Sequence, residues 1–179
     1  MRKLKTWELN RKSIEQFKLS DKIPLVVILD NVRSLNNIGS VFRTCDAFLV
    51  EALYLCGITA CPPNKEINKT ALGSTESVNW KYFENTLEAL NELKEKGYVV
   101  ISAEQAEESI KLNGFYPDKN LKYAMVLGHE VKGVQQEVVN YSDFCLEIPQ
   151  LGTKHSLNVA VAAGILIWDF YVKFEKRKI

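Results

Sequence analysis

The sequence predicts an α/β domain, a mostly parallel sheet with helices on both faces, and three observations carry that expectation. Short apolar runs recur at 23–29, 53–56, 78–83, 98–102, 123–127 and 144–148. Segments of helical character separate most of them, and strands alternating with helices build parallel sheets. The run at 23–29 contains no polar residue, as a strand covered on both faces requires. At 179 residues the chain can bury one sizeable core, and no repeat, low-complexity tract or linker divides it. Residues 1–22 read as a helical extension packed on a single domain over 23–179.

Each element has its own justification. Residues 3–20 place Leu4, Trp7, Ile14 and Phe17 among charges at roughly helical spacing, an amphipathic helix. After the first strand, Asp30 to Gly39 is a polar loop leading into a helix through Ala47. The second strand at 53–56 is followed by a Cys-Pro-Pro-Asn turn at 61–64. Residues 68–77, polar and glycine-containing, read as a functional loop. A helix over 86–96 gathers Leu87, Leu90 and Leu93 on one face and closes at Gly97. Residues 104–117 carry no regular pattern, and 135–140 form a short helix. After the strand at 144–148, Pro149, Gly152 and Thr153 force a turn. Ser156 is placed to cap a small-residue helix running through Trp168.

Composition narrows the function classes. Apolar residues make up 46%, charged residues 25%, and the formal net charge is +1, a globular balance with no global basic field. The charge is uneven: Arg2, Lys3, Lys5, Arg11, Lys12 and Lys18 crowd the start, and Lys173, Lys176, Arg177 and Lys178 the end. Together the two ends could form one basic face, or be two solvated helix ends. Cys45, Cys56, Cys61 and Cys145 form no CxxC pair, and with two isolated histidines they match no zinc spacing. Reduced thiols in a cytoplasmic protein are expected. The basic start lacks the apolar stretch of a signal peptide, and the apolar segment 157–167 is too short to span a bilayer. Neither a membrane nor a metal partner is expected.

Three stretches hold the candidate chemistry. The first contains Asn37, Gly39 and Arg43, with Arg43 six residues beyond Asn37 on the following helix. Arginine offers a fork of donors suited to phosphate or a developing oxyanion, although a surface salt bridge is an equally ordinary use. The second is Leu127-Gly-His-Glu-Val-Lys-Gly133, an acidic residue bracketed by glycines. In the third, at 148–158, a strand end, a polar loop and a helix N-terminus expose unpaired N–H groups. Such junctions bind ligands in open α/β sheets and are also ordinary strand–turn–helix connections. No Walker loop or GxGxxG follows a strand, so nucleotide binding of those kinds is not indicated. His155 beside Ser156 is adjacency and not a relay.

Taken together, Asn37-x-Gly-x-x-x-Arg43-Thr-Cys-Asp-Ala47, Leu127-Gly-His-Glu130-x-x-Gly133 and Ile148-Pro-x-x-Gly-x-x-Ser156-Leu-Asn158-Val-Ala resemble the motifs of the SpoU (TrmH-type) branch of the SPOUT methyltransferases. Thr70-Ala-Leu-Gly-Ser-Thr75 resembles that family's Ser/Thr–Gly loop. The resemblance spans residues 24–172. It implies transfer of a methyl group from S-adenosylmethionine to a ribose 2′-hydroxyl of RNA. It also implies a deep C-terminal trefoil knot over residues 123–165, a rare exception to unknotted chains. A homodimer is implied as well, packed through the small residues of 159–164.

Carried across by motif, the cofactor residues would be Leu127, Gly128, Glu130, Ile148, Leu151, Ser156, Leu157 and Asn158. Ile148 and Leu151 would cover the faces of the adenine. The catalytic set would be Asn37, Arg43, Glu130, Ser156 and Asn158. Because guanidinium rarely loses its proton, Arg43 is better suited to holding phosphate and stabilising the 2′-oxyanion than to acting as a base. The need for a 2′-hydroxyl makes RNA, not DNA, the substrate. His129 departs from the Asn or Ala common in relatives, which leaves its role open, including contact with substrate. No separate RNA-binding domain precedes residue 24, which favours tRNA over rRNA. A non-catalytic RNA-binding protein and a small-molecule methyltransferase are the competing readings. The complete residue set speaks against the first and the basic ends against the second.

Overall fold

Strand β1 (Ile23–Asp30) shows how the sequence dictates the layers. Its side chains alternate between two apolar environments because successive Cβ atoms point to opposite faces of a sheet. Leu25, Val27 and Leu29 face one core with Ile38, Phe42, Ile67, Ile167 and Phe170. Val26 and Ile28 face a second core with Ala89, Leu90, Leu93 and Val138. Both faces are dry, so the strand carries no polar residue before Asp30. The computed structural model describes residues 1–175.

The remaining strands are β2 (Val50–Cys56), β3 (Trp80–Phe83), β4 (Tyr98–Ala103), β5 (Ile110–Lys111), β6 (Lys122–Leu127) and β7 (Phe144–Glu147). They form a seven-stranded sheet in the order β3-β2-β1-β6-β4-β7-β5, and every pairing is parallel. Helices α2 (Leu35–Ala47), α3 (Lys65–Ala71) and α7 (Val159–Glu175) cover the first face, and α5 (Thr86–Glu95) and α6 (Gln136–Tyr141) the second. The expected α/β class with a parallel sheet and helices on both faces is what the chain forms. Register pairs Leu29 with Leu127, Ser102 with Val126 and Ala103 with Leu146, so β1, β6, β4 and β7 end along one edge of the sheet. That edge positions the site.

Local structure corrects several expectations. Residues 3–20 are not one helix but a 3-10 turn (Thr6–Leu9) and a short helix α1 (Ile14–Leu19). Asn10 in left-handed conformation breaks them (φ 47°), and of the four apolar residues only Phe17 is buried. Residues 68–77 are not a loop: α3, capped by the Asn64 side chain, turns through left-handed Leu72 and Gly73 into α4 (Ser74–Ser77). Likewise, Asn37 and Gly39 lie inside α2, whose N-cap is Ser34. A Cβ at Gly39 would fall 2.2 Å from the Ile67 carbonyl oxygen and Thr70 Oγ1, so this glycine lets α3 press against α2. Ser156 does not cap α7. Asn158 does, its Oδ1 accepting from Ala160 N–H at 2.9 Å and Val161 N–H at 3.4 Å.

Candidate functional site

The carboxyl ends of β4, β6 and β7 and the start of α7 enclose a cleft of about 730 Å³. Leu127, Leu146, Ile148, Leu157 and Val159 give it apolar walls, and Gly128, Glu130 and Ser156 also line it. A crevice beyond the strand ends of an open parallel sheet is where such folds place ligands, and its volume suits a small molecule.

The loop after β6 is tightly folded. His129 N–H donates to Gly133 O at 3.0 Å and Gly133 N–H returns to His129 O at 2.9 Å. His129 Nδ1 accepts from Val131 N–H at 3.0 Å and Lys132 N–H at 3.3 Å, so this side chain caps its own loop. A Cβ on Gly128 would lie 2.2 Å from Val134 N. Only glycine lets the loop close on itself there.

Glu130 projects from this loop onto the N-terminus of α2. Its carboxylate accepts from Arg33 N–H at 3.1 Å, Ser34 N–H at 2.9 Å and the Asn37 side-chain amide at 3.1 Å. A carboxylate at a helix N-terminus satisfies orphan donors and complements the dipole. Desolvation pushes the Glu130 carboxyl up, but the N–H groups of Arg33, Glu130 itself and Ser34 and the Asn37 amide outweigh it and hold it below its ordinary value. Asn37 in turn accepts at Oδ1 from Asn158 Nδ2, 3.1 Å away. One hydrogen-bonded chain, Asn158–Asn37–Glu130, therefore fastens the three stretches singled out in the sequence.

The other candidates are dispersed. Ile148, Ser156 and Leu157 line the cleft, with Ser156 exposed. Leu151 does not: it is fully solvent-exposed and outside the lining, so Leu157 and Val159 supply the apolar wall in its place. Arg43 lies on the exposed side of α2, where it lines a second groove of about 720 Å³ with Arg11, Lys12 and Leu72. Within one chain the cleft and Arg43 are separate. The basic ends are only partly available. Arg2 is paired with Glu8 at 2.8 Å, and Lys173 is held by Asp169 at 2.7 Å and the Leu112 and Phe115 carbonyls. Lys176, Arg177 and Lys178 lie outside the described residues.

Sequence reasoning missed two supports of the cleft. Glu104 Oε2 accepts from Val134 N–H at 3.0 Å, and Gln105 Nε2 donates to His155 O at 2.9 Å, so one dipeptide ties both ligand loops. Asp30, fully buried, accepts from Thr86 Oγ1 at 2.7 Å and from Gln135 N–H at 3.0 Å and Nε2 at 2.8 Å. The available signal was position: Asp30 ends β1 and Glu104 follows β4 directly, both at the edge where ligands bind. Burial pushes the Cys56 thiol up to about 12 and that of Cys145 in the same direction, which disfavours the reactive thiolate at both. Among the described residues no group of histidine, cysteine and carboxylate side chains could hold a metal, and no helix is long and apolar enough to cross a membrane.

The chain is similar to known proteins over most of its length. It is 34% identical over 149 residues to a tRNA (guanosine(18)-2′-O)-methyltransferase of Aquifex aeolicus, covering 81% of this chain and 67% of that protein. It is 33% identical over 144 residues to the 23S rRNA (guanosine-2′-O-)-methyltransferase RlmB of Neisseria meningitidis, covering 80% and 56%. The structure superposes with a TM-score of 0.75 on an AdoMet-bound rRNA methyltransferase from Sinorhizobium meliloti, at 28% identity over 82% of this chain and 55% of that one. The chain thus spans 56–67% of the length of these curated relatives. The sequence profile of the SpoU rRNA methylase family matches residues 24–168, and with the three fastened motifs at the sheet edge this chain belongs to that family.

Proposed function

We propose that the protein transfers a methyl group from S-adenosylmethionine to a ribose 2′-hydroxyl of RNA, with tRNA as the substrate class. The observation that carries this reading is the Asn158–Asn37–Glu130 chain, which holds three motifs of the family together beside a ligand-sized cleft. The cleft's chemistry fits the cofactor. Backbone polar groups of 127–134 and 148–157 can bind the adenosine edge, and Leu127, Ile148 and Leu157 offer apolar cover.

When bound, S-adenosylmethionine supplies an electrophilic sulfonium methyl. The apolar walls exclude water, and Glu130, by fixing the first turn of α2, keeps Asn37 and Asn158 in place to orient the reacting groups. Ser156, at the open side of the cleft, is available to the substrate. Arg43 holds an RNA phosphate and stabilises the developing 2′-oxyanion, while the hydroxyl proton passes to solvent.

A homodimer accompanies this reading. Val161, Ile165 and Trp168 are 51%, 37% and 52% exposed and follow at helical spacing along α7 beside Gly164, where an added Cβ would meet open space. Such an apolar stripe suits a two-fold contact, and a second copy would be the route by which Arg43 reaches a cleft. The proposal includes a trefoil knot over residues 123–165. It is supported by α7 returning to pack on α2 although β7 stands three places along the sheet from β1. The closing segment must cross the end of β6, where the 128–133 loop stands. The four free cysteines suit a cytoplasmic protein.

The test is to incubate the protein with radiolabelled S-adenosylmethionine and tRNA or rRNA from cells lacking its gene. Alkali-resistant label in the tRNA pool is expected. Label in rRNA alone would overturn the substrate class, and no label in either pool would overturn the activity.

A further inference from the structure

We infer that Glu104 gives the cleft its preference for a positively charged ligand, favouring S-adenosylmethionine, a sulfonium cation, over its neutral thioether product S-adenosylhomocysteine; this rests on the cofactor reading above. Glu104 follows β4 directly and lines the cleft. Its carboxylate is held in place from two sides, with Oε2 accepting from Val134 N–H at 3.0 Å and Oε1 from Gln105 N–H at 2.9 Å. It packs over Gly133, where a Cβ would lie 2.2 Å from Oε2. This carboxylate therefore has a fixed position on the cleft wall and does not drift into solvent.

Its charge is also unspent. Of the other carboxylates lining the cleft, Glu107 stands exposed to solvent, Glu130 is engaged by the N-terminus of α2, and Glu147 is paired with Lys111 at 2.5 Å and bonded to Ser109. Glu104 has no ion pair among the described residues. Lys132, the one lysine or arginine among the residues lining the cleft, stands exposed near the tip of the 128–133 loop. Backbone N–H groups neutralise a carboxylate only in part, so the wall presents net negative charge to a site with apolar sides. Attraction between opposite charges is stronger in such surroundings than in water.

The reaction changes the charge of the ligand. The carbon–sulfur bond breaks, its electron pair stays on sulfur, the methyl bonds to the 2′-oxygen, and the hydroxyl proton leaves. The sulfonium becomes a neutral thioether. A carboxylate that favours the cation binds the reactant and releases the product, which separates the affinities of two ligands of nearly identical shape.

The experiment is isothermal calorimetry of the full chain and of Glu104→Gln with three ligands: S-adenosylmethionine, S-adenosylhomocysteine and sinefungin, whose amine restores a cation near the sulfonium position. Glutamine keeps the shape, and its amide oxygen can still accept from Val134 N–H while the exposed Gln105 N–H turns to water. An opposite charge nearby shifts such equilibria by about a power of ten. Glu104→Gln is therefore expected to weaken S-adenosylmethionine and sinefungin roughly five- to tenfold and S-adenosylhomocysteine less than twofold. In the wild type the preference for the cation should shrink as ionic strength rises, a measurement that needs no variant. An unchanged ratio between cationic and neutral ligands in the variant, or a salt-independent ratio in the wild type, overturns the assignment alone. A wild type that binds none of the three overturns the cofactor reading together with it.

Discussion

Replacing Asp30 by alanine should destabilise the protein and loosen the ligand loop together. The Asp30 carboxylate, at the end of β1, is fully buried. It accepts from Thr86 Oγ1 at the start of α5, from the backbone and side chain of Gln135, and from Asn31 Nδ2 at 2.9 Å. In the alanine variant the side chains of Gln135 and Asn31 can turn to water. The Thr86 hydroxyl, in a residue only 1% exposed, loses its acceptor without an easy substitute, and the half-buried Gln135 N–H loses a charge-assisted one. A buried donor stranded in this way costs ~1–3 kcal/mol. Against this, Asp30→Ala relieves the desolvation of a carboxylate that has no cationic partner among the described residues, so the total should stay near 3 kcal/mol. At ~2–4 °C per kcal/mol for a domain of this size, the melting temperature should fall by roughly 6–12 °C. Asp30→Asn, which keeps one acceptor for Thr86 but turns an amide toward Gln135 N–H, should lose about half as much.

Thermal unfolding by circular dichroism measures the stability, and hydrogen exchange at the Gln135 amide reports the anchor directly. Because Gln135 ends the stretch that begins at Gly128, affinity for S-adenosylhomocysteine should fall as well. A melting temperature within ~2 °C of wild type, with Gln135 exchange unchanged, would refute the reasoning. It would mean that the carboxylate is replaceable by packing and that the loop is held by Glu104 and its own hydrogen bonds.

Three other outcomes follow from the geometry. Arg43→Ala should abolish methyl transfer to RNA while leaving cofactor affinity within about twofold, since Arg43 lies on a groove separate from the cleft; an equal loss of cofactor affinity would count against that separation. Gly128→Ala should cost several-fold in ligand affinity even if the chain folds, because its Cβ would meet the Gly133–Val134 backbone at 2.2 Å, and titration calorimetry reads this directly. The Glu130 carboxyl is held below its ordinary value of 4.5, so its stabilisation is complete above the unfolded-state value and is lost as pH falls through the folded-state one. The stability difference between wild type and Glu130→Gln should thus shrink below about pH 4.5, and a difference that stays constant from pH 7 to pH 3 would show that the carboxylate charge is not what Glu130 contributes.

The layered α/β class was legible in the sequence because a strand buried on both faces must be apolar throughout, as 25–29 is, and because Leu90 and Leu93 mark one side of an amphipathic helix. The motif residues Asn37, Glu130 and Asn158 were legible as types at a spacing, and the structure brings them within hydrogen-bond reach of one another across 121 positions of chain. Other assignments were open to competition that local pattern cannot decide. Serine, asparagine and threonine favour caps and turns alike, so residue type alone pointed to Ser156, whereas the tertiary structure gives the cap to Asn158. The polar stretch at 68–77 became helical because Asn64 caps it and Gly39 admits it against α2. Glu104, Asp30 and Gln135 carry no pattern of their own; they matter because parallel register brings four strand ends to one edge, where each carboxylate meets unpaired N–H groups from distant loops. Side-chain periodicity, a property of neighbours in sequence, determined the layers. Which polar groups satisfy one another, and that Arg43 and the cleft stand apart in one chain, only the tertiary structure decided, because those contacts join residues far apart in sequence.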